Sequence, residues 1–168
     1  MAERLWAPWR MEFVGGGAAA GCLFCRVRDE GEEDEKNLVL RRGENALLML
    51  NAFPYTSGHL MASPYRHTAD YASLTPDEMV ELMGLTQLAI RALDAVYQPQ
   101  GHNVGLNLGS AAGAGIADHL HVHVVPRWVG DTNFMHAVGN TRVLPDSLES
   151  SYEKLRAALA GLEDGAQP

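Results

Sequence analysis

Asp118-His-Leu-His-Val-His-Val-Val-Pro-Arg127 decides the reading of this chain. In an extended strand, side chains alternate between faces, so His119, His121 and His123 point one way while Leu120, Val122 and Val124 point the other. The apolar face predicts a strand laid over a core. Three imidazoles on the opposite face need partners. A half-exposed strand with polar residues outward accounts for one or two histidines better than for three in strict alternation.

Upstream of this strand, which Pro126 closes, lie a small-residue loop over 109–118 and a strand over 103–108. Before them the spacing predicts a helix from Pro76 to about Tyr97. Thr75 caps it, Pro76 suits the first turn and Glu78 completes a capping box. Met79, Leu82, Met83, Thr86, Ile90, Leu93 and Val96 mark its core face at helical spacing, and Pro99 and Gly101 stop it. Three further strands are read over 37–41, 46–51 and 58–63, the last ending at Pro64. A final helix begins near Ser147, with Asp146 as its cap and Leu148, Tyr152, Leu155 and Leu159 on one stripe. The result is an α+β fold: an antiparallel sheet of about five strands with one long helix and a C-terminal helix.

The 168 residues suit one core, and an apolar fraction of 46% excludes general disorder. No apolar run approaches the ~20 residues of a membrane span. The start, Met-Ala-Glu-Arg-Leu-Trp, lacks a signal-peptide layout, so a cytoplasmic protein is expected. A formal charge of −8 speaks against nucleic-acid binding but permits one locally positive pocket for a phosphate-bearing ligand. Residues 1–14, with Trp6, Trp9, Met11 and Phe13, are too apolar for a free tail and are expected to pack on the body or a partner. Residues 15–21 form a Gly/Ala connection, and the acidic stretch 29–35 is read as a solvated loop. The only cysteines, Cys22 and Cys25, have zinc-knuckle spacing and need two more ligands to close a tetrahedron. A thioredoxin-like redox pair is the alternative, weakened because no βα unit surrounds it; free thiols are another.

The run His119-Leu-His121-Val-His123-Val-Val125 resembles the signature of the histidine triad family of nucleotidyl hydrolases and transferases. The resemblance extends over roughly 22–130, through Asn51, Gly58-His59-Leu60, Pro64-Tyr-Arg-His67 and the 107–113 loop. It implies that His121 attacks phosphorus and carries AMP transiently, with its other ring nitrogen held by the His119 carbonyl. It further implies that His123 donates to phosphate oxygen, that His59 stands behind it, and that Asn51 binds ribose hydroxyls. Asn107 and the loop residues Gly113, Ala114 and Gly115 are candidate phosphate contacts. Relatives with the cysteine pair complete it with the counterparts of His67 and His119. The resemblance thus implies a structural zinc on Cys22, Cys25, His67 and His119, and no organic cofactor.

One position departs from the pattern. Most hydrolytic relatives keep a Gln four residues before the first triad histidine, where this chain has Gly115, or Ala114 if the loop is one residue longer. With Arg4-Leu-Trp-Ala-Pro-Trp-Arg10 and Pro126-Arg-Trp-Val-Gly-Asp-Thr-Asn133, this is similar to the bacterial diadenosine tetraphosphate phosphorylase branch, which uses phosphate as acceptor. The expected substrates are therefore adenine dinucleotides or mononucleotides and inorganic phosphate. A dinucleoside polyphosphate or AMP-phosphoramidate hydrolase, and a nucleotide-binding regulatory module with little turnover, are the alternatives. The expected organisation is an arm over 1–21, a histidine triad domain with its zinc site over 22–135 and a C-terminal extension over 136–168. A homodimer is expected, with the N-terminus and the long helix as candidate contact surfaces.

Overall fold

The structure is a computed structural model and describes residues 21–131 and 146–164. The expected packing of the N-terminal arm and the phosphorylase-like segment beyond Asp131 lie outside the described residues. Five strands, β1 (Val39–Arg42), β2 (Ala46–Leu50), β3 (Leu60–Pro64), β4 (Gly101–Leu106) and β5 (Val122–Arg127), form one antiparallel sheet in the order β1-β2-β3-β5-β4. Among the described residues three α-helices accompany it: α1 (Leu23–Asp29), α2 (Pro76–Tyr97) and α3 (Leu148–Asp164). Among the described residues no helix is long and apolar enough to cross a membrane.

Every residue of β2 is buried because both faces of the sheet are covered there. Ala46, Leu48 and Leu50 join Leu60, Ala62, Val122 and Val124 in packing against Leu82, Leu85, Ala89 and Leu93 of α2 and Tyr152, Leu155 and Leu159 of α3. Leu47 and Met49 face the other way, with Met61, onto Phe24 and Val27 of α1. His119, His121 and His123 lie on this second, thinner side.

The long helix has the predicted bounds and the complete capping box: the Glu78 N–H donates to Thr75 Oγ1 (3.2 Å), and the Thr75 N–H donates to Glu78 Oε2 (2.8 Å). Its buried face is rotated from the predicted stripe. Leu85, Ala89 and Ala92 are inside, whereas Met83 is 38% exposed. Small alanines let the helix lie close to the sheet, so the methionine is displaced to the rim. The Glu78 carboxylate also takes a fork from Arg66 (2.8 and 2.7 Å), which fastens the start of α2 to the turn that carries His67. One turn further on, Glu81 accepts the N–H groups of Glu44 and Asn45, both at 2.6 Å, and clamps the β1–β2 hairpin. A Cβ at Gly43 would fall 1.8 Å from Glu81 Oε1, so any side chain there would displace the clamping carboxylate.

Several expectations are corrected. Helix α1 was not anticipated; its seven residues begin directly after Cys22, with no side-chain cap to announce it. Ser147, not Asp146, caps α3: its Oγ accepts the Ser150 N–H and its carbonyl accepts the Ser151 N–H. Asp146 instead holds Lys154 and accepts the Tyr97 hydroxyl. Strand β5 starts only at Val122 and runs past Pro126 to Arg127. The β3 ladder ends at Leu60 opposite Val124, so the side that Pro126 faces needs no N–H, and its carbonyl there accepts the Thr56 hydroxyl at 3.1 Å.

The Arg66 fork and the capping box hold the Glu78 carboxyl down at about 2, against an ordinary 4.5. A lowered carboxyl pKa stabilises the fold fully above the unfolded value and ceases to do so as pH falls through the folded one. Glu78→Gln is therefore expected to lower the urea midpoint relative to wild type above pH ~5. The deficit should close as pH approaches 2, read by denaturation curves of both proteins across that range.

Candidate functional site

The segment entering β5 is held before the ladder begins. The Leu120 N–H donates to the Thr68 carbonyl (2.8 Å), and the Ser63 hydroxyl donates to the Leu120 carbonyl (2.9 Å). The alternation of side chains thus persists although His119 and His121 precede the strand. Leu120, Val122 and Val124 are buried beneath, and the three imidazoles occupy the α1 side. They do not form one equivalent set.

His119 is fully buried and faces a cluster with Cys22, Cys25 and His67. Cys22 and Cys25 lie three residues apart at the start of α1, on one face of that helix. His119 Nδ1 stands 3.1 Å from Cys22 Sγ, 3.7 Å from Cys25 Sγ and 3.3 Å from His67 Nδ1, and Cys25 Sγ lies 3.4 Å from His67 Nδ1. All four ligand atoms lie within 4.8 Å of one another. Two sulfurs and two imidazole nitrogens at such separations match the edges of a tetrahedron around zinc, about 3.3–3.8 Å for bonds of 2.0–2.3 Å.

The His119 ring also presents the right nitrogen. The His119 Nε2–H donates to the Pro64 carbonyl at 2.8 Å, which leaves a lone pair on Nδ1, and Asp118 lies 3.8 Å from His67 Nε2. Burial, then the adjacent Cys22 sulfur, pushes the Cys25 thiol up, a repulsion that a cation between the sulfurs would relieve. The residues fit zinc, and four protein ligands leave it no open position, so its role would be structural.

His121 and His123 face a cleft of about 310 Å³. One wall is apolar, with Leu23 and Val27 from α1 opposite Leu38, Met49, Met61 and Ile116. Asn51, Asn107, Gly113 and Gly115 line the same cleft near the histidines. Hydrogen bonds to backbone groups of fixed polarity assign the tautomers. His121 Nδ1 lies 2.9 Å from the His119 carbonyl, so it carries the proton and Nε2 keeps its lone pair. Burial draws the His121 pKa down, opposed by that carbonyl, and keeps the ring neutral. His59 Nδ1 accepts the Tyr55 N–H at 3.1 Å, so its proton sits on Nε2 and is donated to His123 Nδ1 at 2.9 Å. His123 therefore carries its own proton on Nε2. One imidazole offers a lone pair and its neighbour, 4.8 Å away between ring centroids, offers an N–H.

Residues 32–129 match the family model described as the HIT domain. The chain belongs to the HIT family. It is 42% identical over 162 residues to a Mycobacterium tuberculosis protein named AP-4-A phosphorylase, with 91% of this chain and 82% of that protein aligned. Among solved structures it is similar to a zinc-bound histidine triad family protein from Mycobacterium smegmatis, with TM-score 0.68 and 32% identity over 86% of this chain and 96% of that one. A hypothetical histidine triad nucleotide-binding protein from Sulfolobus tokodaii shares the fold, with TM-score 0.68 and 24% identity, covering 84% and 94% of the two chains.

Within this HIT fold the sequence-predicted residues separate into three groups. Cys22, Cys25, His67 and His119 meet at the metal cluster; Asn51, Asn107, Gly113, Gly115, His121 and His123 meet at the cleft. His59 is buried behind His123 and does not line the cleft, and Ala114 does not line it either. Asn51 is oriented by its own loop: Oδ1 accepts the Phe53 N–H (2.9 Å), and Nδ2 approaches His59 Nδ1 (3.3 Å). Sequence reasoning missed Phe24, whose ring lies 5.0 Å from that of His119 and 5.2 Å from that of His121, and so joins the metal cluster to the cleft. It also missed Tyr55, stacked 4.7 Å from His59. The Phe between the two cysteines was the available signal for the first; nothing marked the second.

Cys22→Ser is expected to lower bound zinc per chain, read by metal analysis, and to lower Tm. A metal held a hundredfold above its Kd contributes about 2.7 kcal/mol, or roughly 5–10 °C in a protein of this size.

Proposed function

We propose that this protein is a nucleotidyl transferase that converts diadenosine tetraphosphate and inorganic phosphate to ADP and ATP through a His121–AMP intermediate. The observation that carries the reading is the pair of opposed tautomers at the end of the apolar cleft. The 42% identity to a protein named AP-4-A phosphorylase supports the substrate class.

In this reading adenine enters the slot between α1 and the sheet, Asn51 meets the ribose, and Asn107 and the backbone at Gly113 and Gly115 flank the phosphates. His121 Nε2 attacks the α-phosphorus. A P–N bond forms as the bond to the bridging oxygen breaks, and ATP departs with that oxygen and its electron pair. The ring becomes cationic on adenylylation, and the His119 carbonyl at Nδ1–H stabilises it. The His123 Nε2–H donates to phosphate oxygen as charge develops, and His59 holds His123 in that tautomer. An oxygen of inorganic phosphate then attacks the same phosphorus, the P–N bond breaks, and ADP leaves. The choice of phosphate over water rests on Gly115, which lines the cleft and carries no side-chain amide to occupy the acceptor's place. Cys22, Cys25, His67 and His119 would hold a structural zinc that fixes the His119 backbone and takes no part in the steps.

The same reading places the protein in the cytoplasm, where both cysteines stay reduced, and makes it a homodimer. Strand β4 is a sheet edge with Val104 47% exposed, a surface that favours pairing with a second copy. Analytical ultracentrifugation should give twice the 18.3 kDa chain mass; a monomer would remove the dimer from the reading.

His121→Ala should lose at least about 10⁴-fold in turnover while keeping the wild-type circular dichroism spectrum and melting curve. Wild-type protein given diadenosine tetraphosphate should yield ADP plus ATP, at a rate that requires phosphate. ATP plus AMP, formed equally without phosphate, would instead identify a hydrolase. Intact-mass analysis after acid-free quenching should show one AMP per active site, absent in the His121 variant.

A further inference from the structure

The cleft just described does not end at His123. A second cleft of about 400 Å³ opens on the far side of that ring, over β4 and the end of β5. Tyr55, Asn107 and His123 line both, so the two are adjoining compartments separated by the triad histidine that faces the phosphate. Their chemistry differs. The first is walled by aliphatic side chains, whereas the second presents Thr56, Asn103, Arg127 and Asp131.

Strand geometry fixes the direction from one to the other. His123, Val125 and Arg127 alternate onto one face of β5, and about 13 Å of strand separates the first from the last. His121, the attacking residue of the proposed reaction, lies before this row and lines only the first cleft. In phosphoryl transfer the entering and leaving atoms lie roughly in line across phosphorus. A group displaced from the α-phosphorus by His121 is thereby directed past His123 and along the row toward Arg127.

The second cleft is built to receive such a group. Arg127 is held in a fork by Asp131, with Nη2 at 2.9 Å from Oδ1, and its Nη1 donates to Asn103 Oδ1 at 2.6 Å. That bond fixes the Asn103 amide with its oxygen turned to Arg127 and leaves the two N–H donors of Nδ2 for a ligand. Thr56 donates its hydroxyl proton to the Pro126 carbonyl, which leaves the oxygen as an acceptor for a sugar hydroxyl. The floor is open at Gly105, opposite His123 in the ladder, where an added Cβ would meet nothing within 4 Å. We propose that this second cleft is the subsite for the departing half of a dinucleotide, a nucleoside polyphosphate, with Asn103 and Arg127 as donors to its phosphate or ribose oxygens. The subsite rests on the nucleotidyl-transfer reading and adds to it a preference for a dinucleotide over a mononucleotide.

Two variants test it. Gly105→Val fills the floor with a strand-favouring side chain whose Cβ meets no protein atom within 4 Å. Asn103→Asp keeps the oxygen bonded to Arg127 while replacing the donors by a negative charge. Each is assayed, as the full chain, for phosphorolysis of diadenosine tetraphosphate and for exchange of labelled phosphate into ADP. Exchange uses the same His121–AMP intermediate with phosphate alone as the departing group. Both variants should raise KM for the dinucleotide at least about tenfold, the loss expected for a hydrogen bond to a charged group, with exchange within about twofold of wild type. Equal losses in both assays, or no change in either, would overturn the subsite. If wild type gives ATP plus AMP regardless of phosphate, the phosphorylase reading falls separately. The subsite then stands or falls on the same variants, with adenosine 5′-phosphoramidate replacing exchange as the reaction without a second nucleotide.

Discussion

The buried ring of His119 is the constraint on which the site depends. Its Nε2–H is committed to the Pro64 carbonyl at the end of β3, and its Nδ1 faces both cysteines and His67. Its own carbonyl takes the Nδ1 proton of His121. A single residue therefore fixes the chain between the metal cluster and the cleft, and sets which nitrogen of its neighbour is free. Removing any one of these bonds would leave a buried polar group without a partner, which costs more than the bond itself contributes.

From there, polarity passes along a relay of groups with no freedom to choose. A backbone carbonyl can only accept, and a backbone N–H can only donate. The His119 carbonyl at one end and the Tyr55 N–H at the other impose opposite tautomers on His121 and His123 through His59. Two chemically identical side chains, two residues apart, thereby acquire different duties. Neither needs an unusual charge to do so, and burial keeps the His121 ring neutral.

Much of this was legible in the chain because it is local or periodic. The capping box at Thr75 and Glu78, the continuous apolar run of β2 and the alternation through His119–His123 all predict their structures directly. The Cys22–Cys25 spacing and the family pattern named all four residues of the cluster that could hold a metal. What was not legible depends on contacts between distant segments. Helix α1 is short, lacks a capping side chain, and is stabilised by packing Phe24 and Val27 on β2 and β3. The inward face of α2 was displaced toward alanines because the sheet sits close to the helix, a distance that helical spacing alone does not contain. The place of Tyr55 follows from how its loop folds over His59, which no residue type announces.

Helix α1 belongs to two sites at once. It brings both cysteines to the metal cluster and turns Leu23 and Val27 toward the apolar cleft, with Phe24 wedged between. Its position is a quantity shared by two binding equilibria. Whatever free energy a bound metal invests in holding that helix is returned, by thermodynamic linkage, as affinity for the ligand that leans on its other face, and the reverse holds by the same factor. A site that takes no part in the chemistry thus has a say in how tightly the cleft binds.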